Sequence, residues 1–188
     1  MKNPIPADEW HYIDPLMRCD NKPVKRMLEL GNKKNSDGVY KHYFESLGIE
    51  HTSIDWNGED GALPLDLREP IYKQFEQFDM TTNVGTTEHV SFQRGVWENI
   101  HYLTAVYGVI VSITPYPGGD NWWWHGEWYP RQEFFTAFAF LNGYEIEKIG
   151  TGREAPNLNL CVRLIKTTEK PFTMPDESLI YRNVIRPR

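Results

Sequence analysis

Residues 24–31 read VKRMLELG, a stretch with apolar Val24, Met27, Leu28 and Leu30 that ends in glycine and predicts a short β-strand. Residues 32–38, NKKNSDG, are rich in turn formers and predict a loop. Apolar residues at helical spacing from Val39 to Leu47 predict a helix, and HTSIDW at residues 51–56 predicts a second strand. Strand, loop, helix and strand in this order indicate an α/β fold built on parallel strands.

The second half of the chain continues this alternation. Further strands are predicted at residues 78–84, 109–114, 144–149 and 158–165. Further helices are predicted from Ser91 to about Val106 and from Pro130 to Gly143. The pattern predicts a three-layer, doubly wound, mostly parallel sheet with helices on both faces and a ligand site at the carboxyl ends of its strands.

The chain divides into three predicted regions. Residues 1–23 contain several prolines and no sustained period, which predicts an extended N-terminal arm. Residues 24–170 contain the alternating elements and predict the α/β domain. Residues 171–188 predict an irregular C-terminal tail.

Composition excludes several classes of protein. The formal net charge of −6 over 188 residues argues against a broad nucleic-acid surface. No apolar run reaches the roughly 20 residues that cross a bilayer, and the first residues lack a signal-peptide core, so we expect a cytoplasmic protein without membrane contact. Two cysteines are too few for a disulfide scaffold.

Six pieces in chain order resemble the class I S-adenosylmethionine-dependent methyltransferases of the small-molecule type. They are MLELG (27–31), SID (53–55), LDL (65–67), FDMTTNVGTTEHV (78–90), YPRQEFF (129–135) and LNGYEI (141–146). The resemblance covers about residues 24–165 and implies a Rossmann-like sheet of seven strands with the last strand antiparallel. It also implies S-adenosylmethionine as the cofactor.

The resemblance and the strand ends together predict the cofactor residues. Gly31 lets the backbone approach the cofactor, and Asp55, 55 − 31 = 24 positions later, suits the ribose hydroxyls. By the resemblance, Asp66 accepts a hydrogen bond from the adenine amino group, and Trp56 or Leu67 packs on the ring. The predicted cofactor-binding set is Glu29, Gly31, Asn32, Asp55, Trp56, Asp66, Leu67, Asn83 and Gly85.

The loop after Gly31 departs from the family pattern. The family has glycine at alternate positions there, whereas this chain continues NKKN at residues 32–35 and reaches its next glycine at Gly38. The lack of a G-x-G-x-x-G motif after a strand disfavours a dinucleotide enzyme. A non-catalytic, methyltransferase-like module for binding or assembly is therefore the alternative to an enzyme.

The candidate catalytic residues are Glu88, His89 and His125. Glu88 and His89 follow the predicted strand at 78–84, and His125 lies in the aromatic loop NWWWHGEW at residues 121–128. An imidazole titrates near neutrality, so His89 or His125 is predicted to take the acceptor's proton. No metal site is predicted, because these residues and Glu127 show no HExxH spacing.

The aromatic loop is predicted to bind a small-molecule acceptor. Aromatic planes suit a flat or sugar-like compound, and methyl transfer to an oxygen, nitrogen or carbon atom is the expected reaction. The alternative is that the tryptophans fill a gap in the core or dock a second subunit, which leaves a homodimer open. The predicted acceptor-binding residues are Tyr116, Trp122, Trp124 and Trp128.

Overall fold

The computed structural model describes residues 5, 12–13, 22–35, 38–116, 125–154 and 157–183. The helices are α1 (Tyr40–Ser46), α2 (Gln93–Leu103) and α3 (Gln132–Asn142). The strands are β1 (Arg26–Leu30), β2 (Lys34–Asn35), β3 (Gly38–Val39), β4 (Glu50–Ile54), β5 (Phe78–Val84), β6 (Thr104–Pro115), β7 (Trp128–Pro130), β8 (Tyr144–Glu154), β9 (Asn157–Lys166) and β10 (Ile180–Arg182). Short 3₁₀ turns span Glu59–Gly61, Ile71–Gln74, Thr87–His89 and Glu177–Leu179.

A six-stranded sheet forms the centre of the described fold, in the order β4-β1-β5-β6-β9-β8. Strands β4, β1, β5 and β6 are parallel. Strand β9 runs antiparallel to both of its neighbours, so β8 has the same direction as β6. This mostly parallel, Rossmann-like sheet with its last strand antiparallel confirms the predicted fold class.

Apolar clusters cover both faces of the sheet, as expected for parallel strands. Leu28 and Ile110 belong to one cluster, together with α2 and α3, and the adjacent residues Met27 and Val111 belong to a second cluster with α1. The alternation arises because successive side chains of a strand point to opposite faces. The second cluster also contains residues of the predicted N-terminal arm, namely Ile5, Tyr12 and Ile13.

Trp97 of α2 is the centre of the first cluster. Its ring lies 4.9 Å from that of Phe134 and 5.6 Å from those of Phe135 and Phe138, all on α3. Helix α3 ends at Gly143, whose φ of +74° is a left-handed conformation that glycine adopts without strain. The two helices therefore pack on each other and on the same face of the sheet.

The described sheet has six strands rather than the seven that the resemblance implied. Residues 62–67, which include the LDL piece of the resemblance, make one isolated bridge, between Leu63 and Ile54. The physical reason is Pro64, which lacks an N–H group and cannot continue a ladder of hydrogen bonds. The segment therefore crosses the end of β4 without extending the sheet.

Other segments also differ from the sequence-based expectation. The short strands β2 and β3 pair in the loop after Gly31, and β6 begins directly at the end of α2. The C-terminal region, predicted as irregular, contains β10, which pairs with β7. Phe172 and Ile180 of this region join the first cluster. Among the described residues, no helix has the length and apolar character that crossing a bilayer requires.

Candidate functional site

A cleft of ≈ 600 Å³ opens at the carboxyl ends of β1, β4 and β5. Parallel strands end at one edge of the sheet, so residues that are distant in sequence meet there. His89 lines this cleft. So do six of the residues predicted to bind the cofactor, namely Gly31, Asp55, Trp56, Asp66, Leu67 and Gly85.

Gly31 joins the loops that follow β1 and β5. Its φ is +81°, its N–H donates to the carbonyl of Ile54 at 2.7 Å, and a Cβ there would collide with Oγ1 of Thr86. Thr86 Oγ1 in turn donates to the carbonyl of Leu30 at 2.7 Å. Both the backbone conformation and the close approach of Thr86 therefore require glycine at this position.

Asp55 and Trp56 present a polar oxygen and an aromatic ring to the cleft. Asp55 is half-buried after β4, and its Oδ1 accepts a hydrogen bond from the Asn57 N–H at 3.2 Å. Within the described part of the chain, Oδ2 of Asp55 accepts no hydrogen bond. Trp56 is 84 % exposed, which is unusual for so large an apolar side chain. A carboxylate oxygen can accept a hydrogen bond from a ligand hydroxyl, and an exposed aromatic ring can pack on a flat ligand ring.

The Asp66 carboxylate is already bound by a neighbouring side chain. Arg68 donates from Nε to both carboxylate oxygens at 3.0 Å and from Nη2 to Oδ2 at 2.6 Å. These hydrogen bonds hold the pKa of Asp66 below its usual range. An adenine amino group at this place would have to share the carboxylate with Arg68.

Glu29, Asn32 and Asn83 were predicted to bind the cofactor, but they do not line the cleft. Glu29 is buried within the sheet, where its Oε2 lies 3.5 Å from Nε2 of His51. The Asn32 amide donates to the carbonyl of Glu59 at 3.0 Å, and Asn83 is fully buried. Asn32 and Asn83 are hydrogen-bonded within the protein, and Glu29 lies beside His51 in the core, so none of the three side chains lines the cleft.

The three predicted catalytic residues lie together, around a buried carboxylate. Glu88 is 0 % exposed, and within the described residues neither of its carboxylate oxygens has a hydrogen-bond partner. Burial raises the pKa of Glu88 to about 7, while the backbone N–H of Glu88 itself and the positive charge of Lys33 act in the opposite direction. Nε2 of His89 lies 4.0 Å and Nε2 of His125 lies 3.9 Å from Oε1 of Glu88.

A buried hydrogen-bond network fixes the 3₁₀ turn that carries Glu88. The Asn83 side chain accepts from the Thr87 N–H at 3.1 Å and donates to Thr87 Oγ1 and to Ser112 Oγ, both at 2.9 Å. The Gln93 amide donates to the Thr87 carbonyl at 2.7 Å. Asn83 thus fixes the backbone of this turn from within the core.

The described end of the aromatic loop, residues 125–128, packs against Glu88. The Glu127 N–H donates to the Glu88 carbonyl at 2.9 Å. A Cβ on Gly126 would lie 2.7 Å from Cγ of Glu88, so a larger residue would push this carboxylate away. The Glu127 side chain is bound by Arg182 at 2.8–2.9 Å and does not join the group around Glu88.

The described aromatic residues near this loop contact the protein rather than the cleft. Tyr116 and Trp128 are half-buried and pack against the first core cluster. Arg182 lies over the Trp128 ring at 4.8 Å, and neither aromatic residue lines the cleft. Trp122 and Trp124, also predicted to bind the acceptor, lie outside the described residues.

Solved structures share this architecture at low sequence identity. The Burkholderia thailandensis 1,6-didemethyltoxoflavin-N1-methyltransferase, with bound 1,6-didemethyltoxoflavin and S-adenosylhomocysteine, is 13% identical with a TM-score of 0.60 over 86% of this chain and 79% of that one. A TehB-like SAM-dependent methyltransferase from Corynebacterium glutamicum is 16% identical, with a TM-score of 0.53 over 85% and 87%. An O-methyltransferase of Brevibacillus brevis in complex with S-adenosylhomocysteine is 12% identical, with a TM-score of 0.52 over 82% and 71%.

The fold is that of the class I methyltransferases. No protein-family model and no curated protein matches the sequence. The similarity to these methyltransferases is therefore a similarity of fold. Two of the similar methyltransferases hold S-adenosylhomocysteine.

Three residues at the cleft of this methyltransferase fold were missed by sequence reasoning. Thr86 and Arg68 line the cleft, and Nζ of the half-buried Lys33 lies 3.7 Å from the Cβ position of Gly85. Arg68 carried a signal, because it follows Asp66 by two positions and has the opposite charge. Lys33 carried none, since the direction of its side chain depends on the β2–β3 hairpin.

Proposed function

We propose that this protein transfers the methyl group of S-adenosylmethionine to an oxygen, nitrogen or carbon atom of a small or medium-sized acceptor. The observation that carries the proposal is the pairing of two sites at one cleft. Asp55 follows β4, whereas Glu88 and His89 follow β5 and meet His125 of the aromatic loop; strand β1 lies between β4 and β5. Neighbouring strands lie about 4.8 Å apart, so the two sites are separated by roughly 10 Å, which leaves room for a cofactor beside an acceptor.

In this proposal the cofactor lies on the Asp55 side of the cleft. Oδ2 of Asp55 accepts a hydrogen bond from a ribose hydroxyl, and the exposed Trp56 ring packs on adenine. The Lys33 ammonium attracts the carboxylate of the cofactor's methionine portion. Asp66 and Leu67 are the further adenine contacts, and Arg68 competes for the Asp66 carboxylate.

The acceptor lies on the other side, at Glu88, His89 and His125. The flanks of the aromatic loop support this placement, because the Tyr116 N–H donates to a β9 carbonyl at 2.9 Å and the Glu127 N–H donates to the Glu88 carbonyl. Residues 117–124 therefore connect two fixed points, one of which adjoins Glu88. The proposed aromatic contacts to the acceptor are Trp122 and Trp124, flanked by Tyr116 and Trp128.

In this proposal the protein positions the acceptor beside the cofactor and helps to remove the acceptor's proton. The sulfonium of the cofactor supplies an already electrophilic methyl group. The two sides of the cleft align the acceptor atom with this methyl group. The carboxylate and imidazoles at Glu88, His89 and His125 bind the acceptor group and favour the loss of its proton.

Calorimetric titration with S-adenosylhomocysteine and S-adenosylmethionine tests the proposal. We expect wild-type protein to bind both compounds and Asp55→Ala to weaken binding about 10- to 100-fold, because a hydrogen bond to a charged group contributes roughly 1.5–3 kcal/mol. Glu69→Gln is the matched control, since Glu69 is an exposed acid that does not line the cleft. Equal affinities of Asp55→Ala and wild type would refute the ribose contact.

A non-catalytic module of the same fold is the second candidate. The Arg68–Asp66 pair and the lysine-bearing hairpin after Gly31 favour it, since both occupy places where a cofactor would need access. The same titration separates the candidates. An absence of heat and of thermal stabilisation at high ligand concentration supports the module and contradicts the enzyme.

A further inference from the structure

The group at Glu88 contains two imidazoles and one carboxylate around a common point. One ligand atom from each of Glu88, His89 and His125 lies within 4.8 Å of the other two. The imidazole rings are 4.9 Å apart and inclined at 67°, so they are not stacked on each other. Fully exposed acid clusters are common on protein surfaces, whereas the carboxylate here is completely buried.

We propose that Glu88, His89 and His125 bind a divalent first-row transition-metal cation such as Zn²⁺. Two imidazoles with one carboxylate are a ligand set that suits such cations and leaves coordination positions open. Mg²⁺ and Ca²⁺ prefer oxygen ligands and are not expected here. The role that we give to the cation, on the acceptor side of the cleft, rests on the proposed methyltransferase function. The test of metal binding does not depend on that function.

The distances between the two imidazoles and the Glu88 carboxylate are too long for hydrogen bonds and leave room for a shared cation. Nε2 of each histidine is 3.9–4.0 Å from Oε1 of Glu88, beyond the hydrogen-bond range. Ligand atoms that share a tetrahedral zinc at bonds of about 2.1 Å are roughly 3.4 Å apart. Small rotations of the two imidazoles would therefore bring all three groups into coordination.

The unpartnered carboxylate is an independent sign of a bound cation. A buried carboxylate costs free energy unless a hydrogen bond, an opposite charge or a metal compensates it. Both Glu88 oxygens lack hydrogen-bond partners within the described residues, although the surrounding turn is held by buried Asn83 and Gln93. The network thus fixes the backbone of Glu88 and leaves its carboxylate directed at the histidines.

The cation would serve the acceptor side of the cleft. His89 lines the cleft, and the side chains of His89 and His125 are partly exposed, so an open coordination position would face a ligand there. An acceptor hydroxyl or amine bound to a divalent cation loses its proton more readily. Lys33 is the neighbouring positive charge that opposes the cation.

Metal binding to untagged, chelator-treated protein tests the site. We expect one Zn²⁺ per chain by calorimetry and a visible ligand-field spectrum with Co²⁺. Glu88→Gln and His125→Gln are each expected to weaken Zn²⁺ binding at least about tenfold, the range seen when coordination is disturbed. Lys33→Met is expected to strengthen binding, because it removes a like charge.

The control is His42→Gln, which alters an exposed His–Glu pair on α1 and is expected to leave Zn²⁺ affinity unchanged. Circular dichroism verifies that Glu88→Gln, an isosteric change, remains folded. Failure of Zn²⁺, Co²⁺, Mn²⁺ and Fe²⁺ to bind, or equal binding by Glu88→Gln and wild type, would overturn the site. Titration of the metal-free protein with S-adenosylhomocysteine is read separately, so loss of the proposed metal and loss of the proposed function are distinguishable.

Discussion

Glu29 and His51 form a buried acid–imidazole pair beside α1. Burial raises the pKa of Glu29 to about 8, while Lys33 and Lys41 oppose this shift. Burial lowers the pKa of His51 to about 3, and Lys41 acts in the same direction. Both side chains are therefore neutral near pH 7, and the Phe44 ring stacks on His51 at 5.6 Å.

We expect Glu29→Gln to stabilise the protein increasingly as the pH rises from 5 to 8. Above pH 4.5 the unfolded chain has lost the Glu29 proton, while the folded chain keeps it up to about pH 8. The wild type therefore loses about 1.4 kcal/mol of unfolding free energy per pH unit across this window. Urea unfolding at several pH values measures the difference between the two proteins.

His51 contributes equally to both proteins, so it cancels from that difference. Glu50→Gln is the control, because Glu50 is an exposed acid on β4, the edge strand beside β1. We expect the stability of this variant relative to wild type to show no comparable change with pH. A stability difference between Glu29→Gln and wild type that does not change with pH would contradict a neutral Glu29.

The positions of individual site residues were predictable where they depend only on the course of the backbone. Gly31 and Asp55 end neighbouring parallel strands, so their approach follows from the topology. Glu29 lies on β1 and Asn83 lies on β5, but no local pattern shows that Glu29 packs beside His51 or that Asn83 bonds to Ser112. Their predicted contact with a cofactor stays a prediction, and the structure favours supporting roles for both.

The Asn83 amide makes three of the hydrogen bonds that hold the 3₁₀ turn after β5 in place. We expect Asn83→Ala to lower the free energy of unfolding by about 1–3 kcal/mol, because it leaves buried groups of Thr87 and Ser112 without partners. Denaturant unfolding measures this loss. Asn57→Ala is the control, since Asn57 is exposed and its side chain accepts one hydrogen bond, from the Glu59 N–H on a surface turn. Equal losses in the two variants would contradict the supporting role of Asn83.

Whole elements were more predictable than the segments between them. Short strand-like stretches identified β1, β4 and β5, a continuous apolar run identified β6, and helical spacing identified α2 and α3, all near their observed positions. The β2–β3 hairpin was missed, because two-residue strands have no periodicity to detect. Strand β10 was missed because its pairing with β7 is a tertiary contact that the short apolar sequence does not reveal.

On the scale of the whole molecule, three described residues near the N-terminus pack on one face of the sheet. Ile5, Tyr12 and Ile13 join the cluster that contains the buried Cys161. The Tyr12 carbonyl accepts a hydrogen bond from Arg163 at 2.9 Å. We expect deletion of residues 1–21 to make Cys161 react with a thiol reagent in native buffer and to lower the melting temperature.

Full-length Cys19→Ser is the reference for that deletion, because the chain has only two cysteines and Cys161 is then the single thiol in both proteins. Its reaction is expected to be slow until denaturant is added. Circular dichroism confirms that the shortened chain keeps its secondary structure. Equally slow reaction of both proteins would show that the arm does not cover this face.

The position of β9 bears on the order in which the chain assembles during synthesis. Strand β8 leaves the ribosome first, but its described partner in the sheet is β9, and β9 inserts between β8 and β6. Until Lys166 has been made, the nascent chain carries an apolar β6 with one unpaired edge and a β8 with no strand beside it. Unpaired edges of this kind invite pairing with other chains. Dependence on a chaperone is therefore expected to be greatest in this interval of translation.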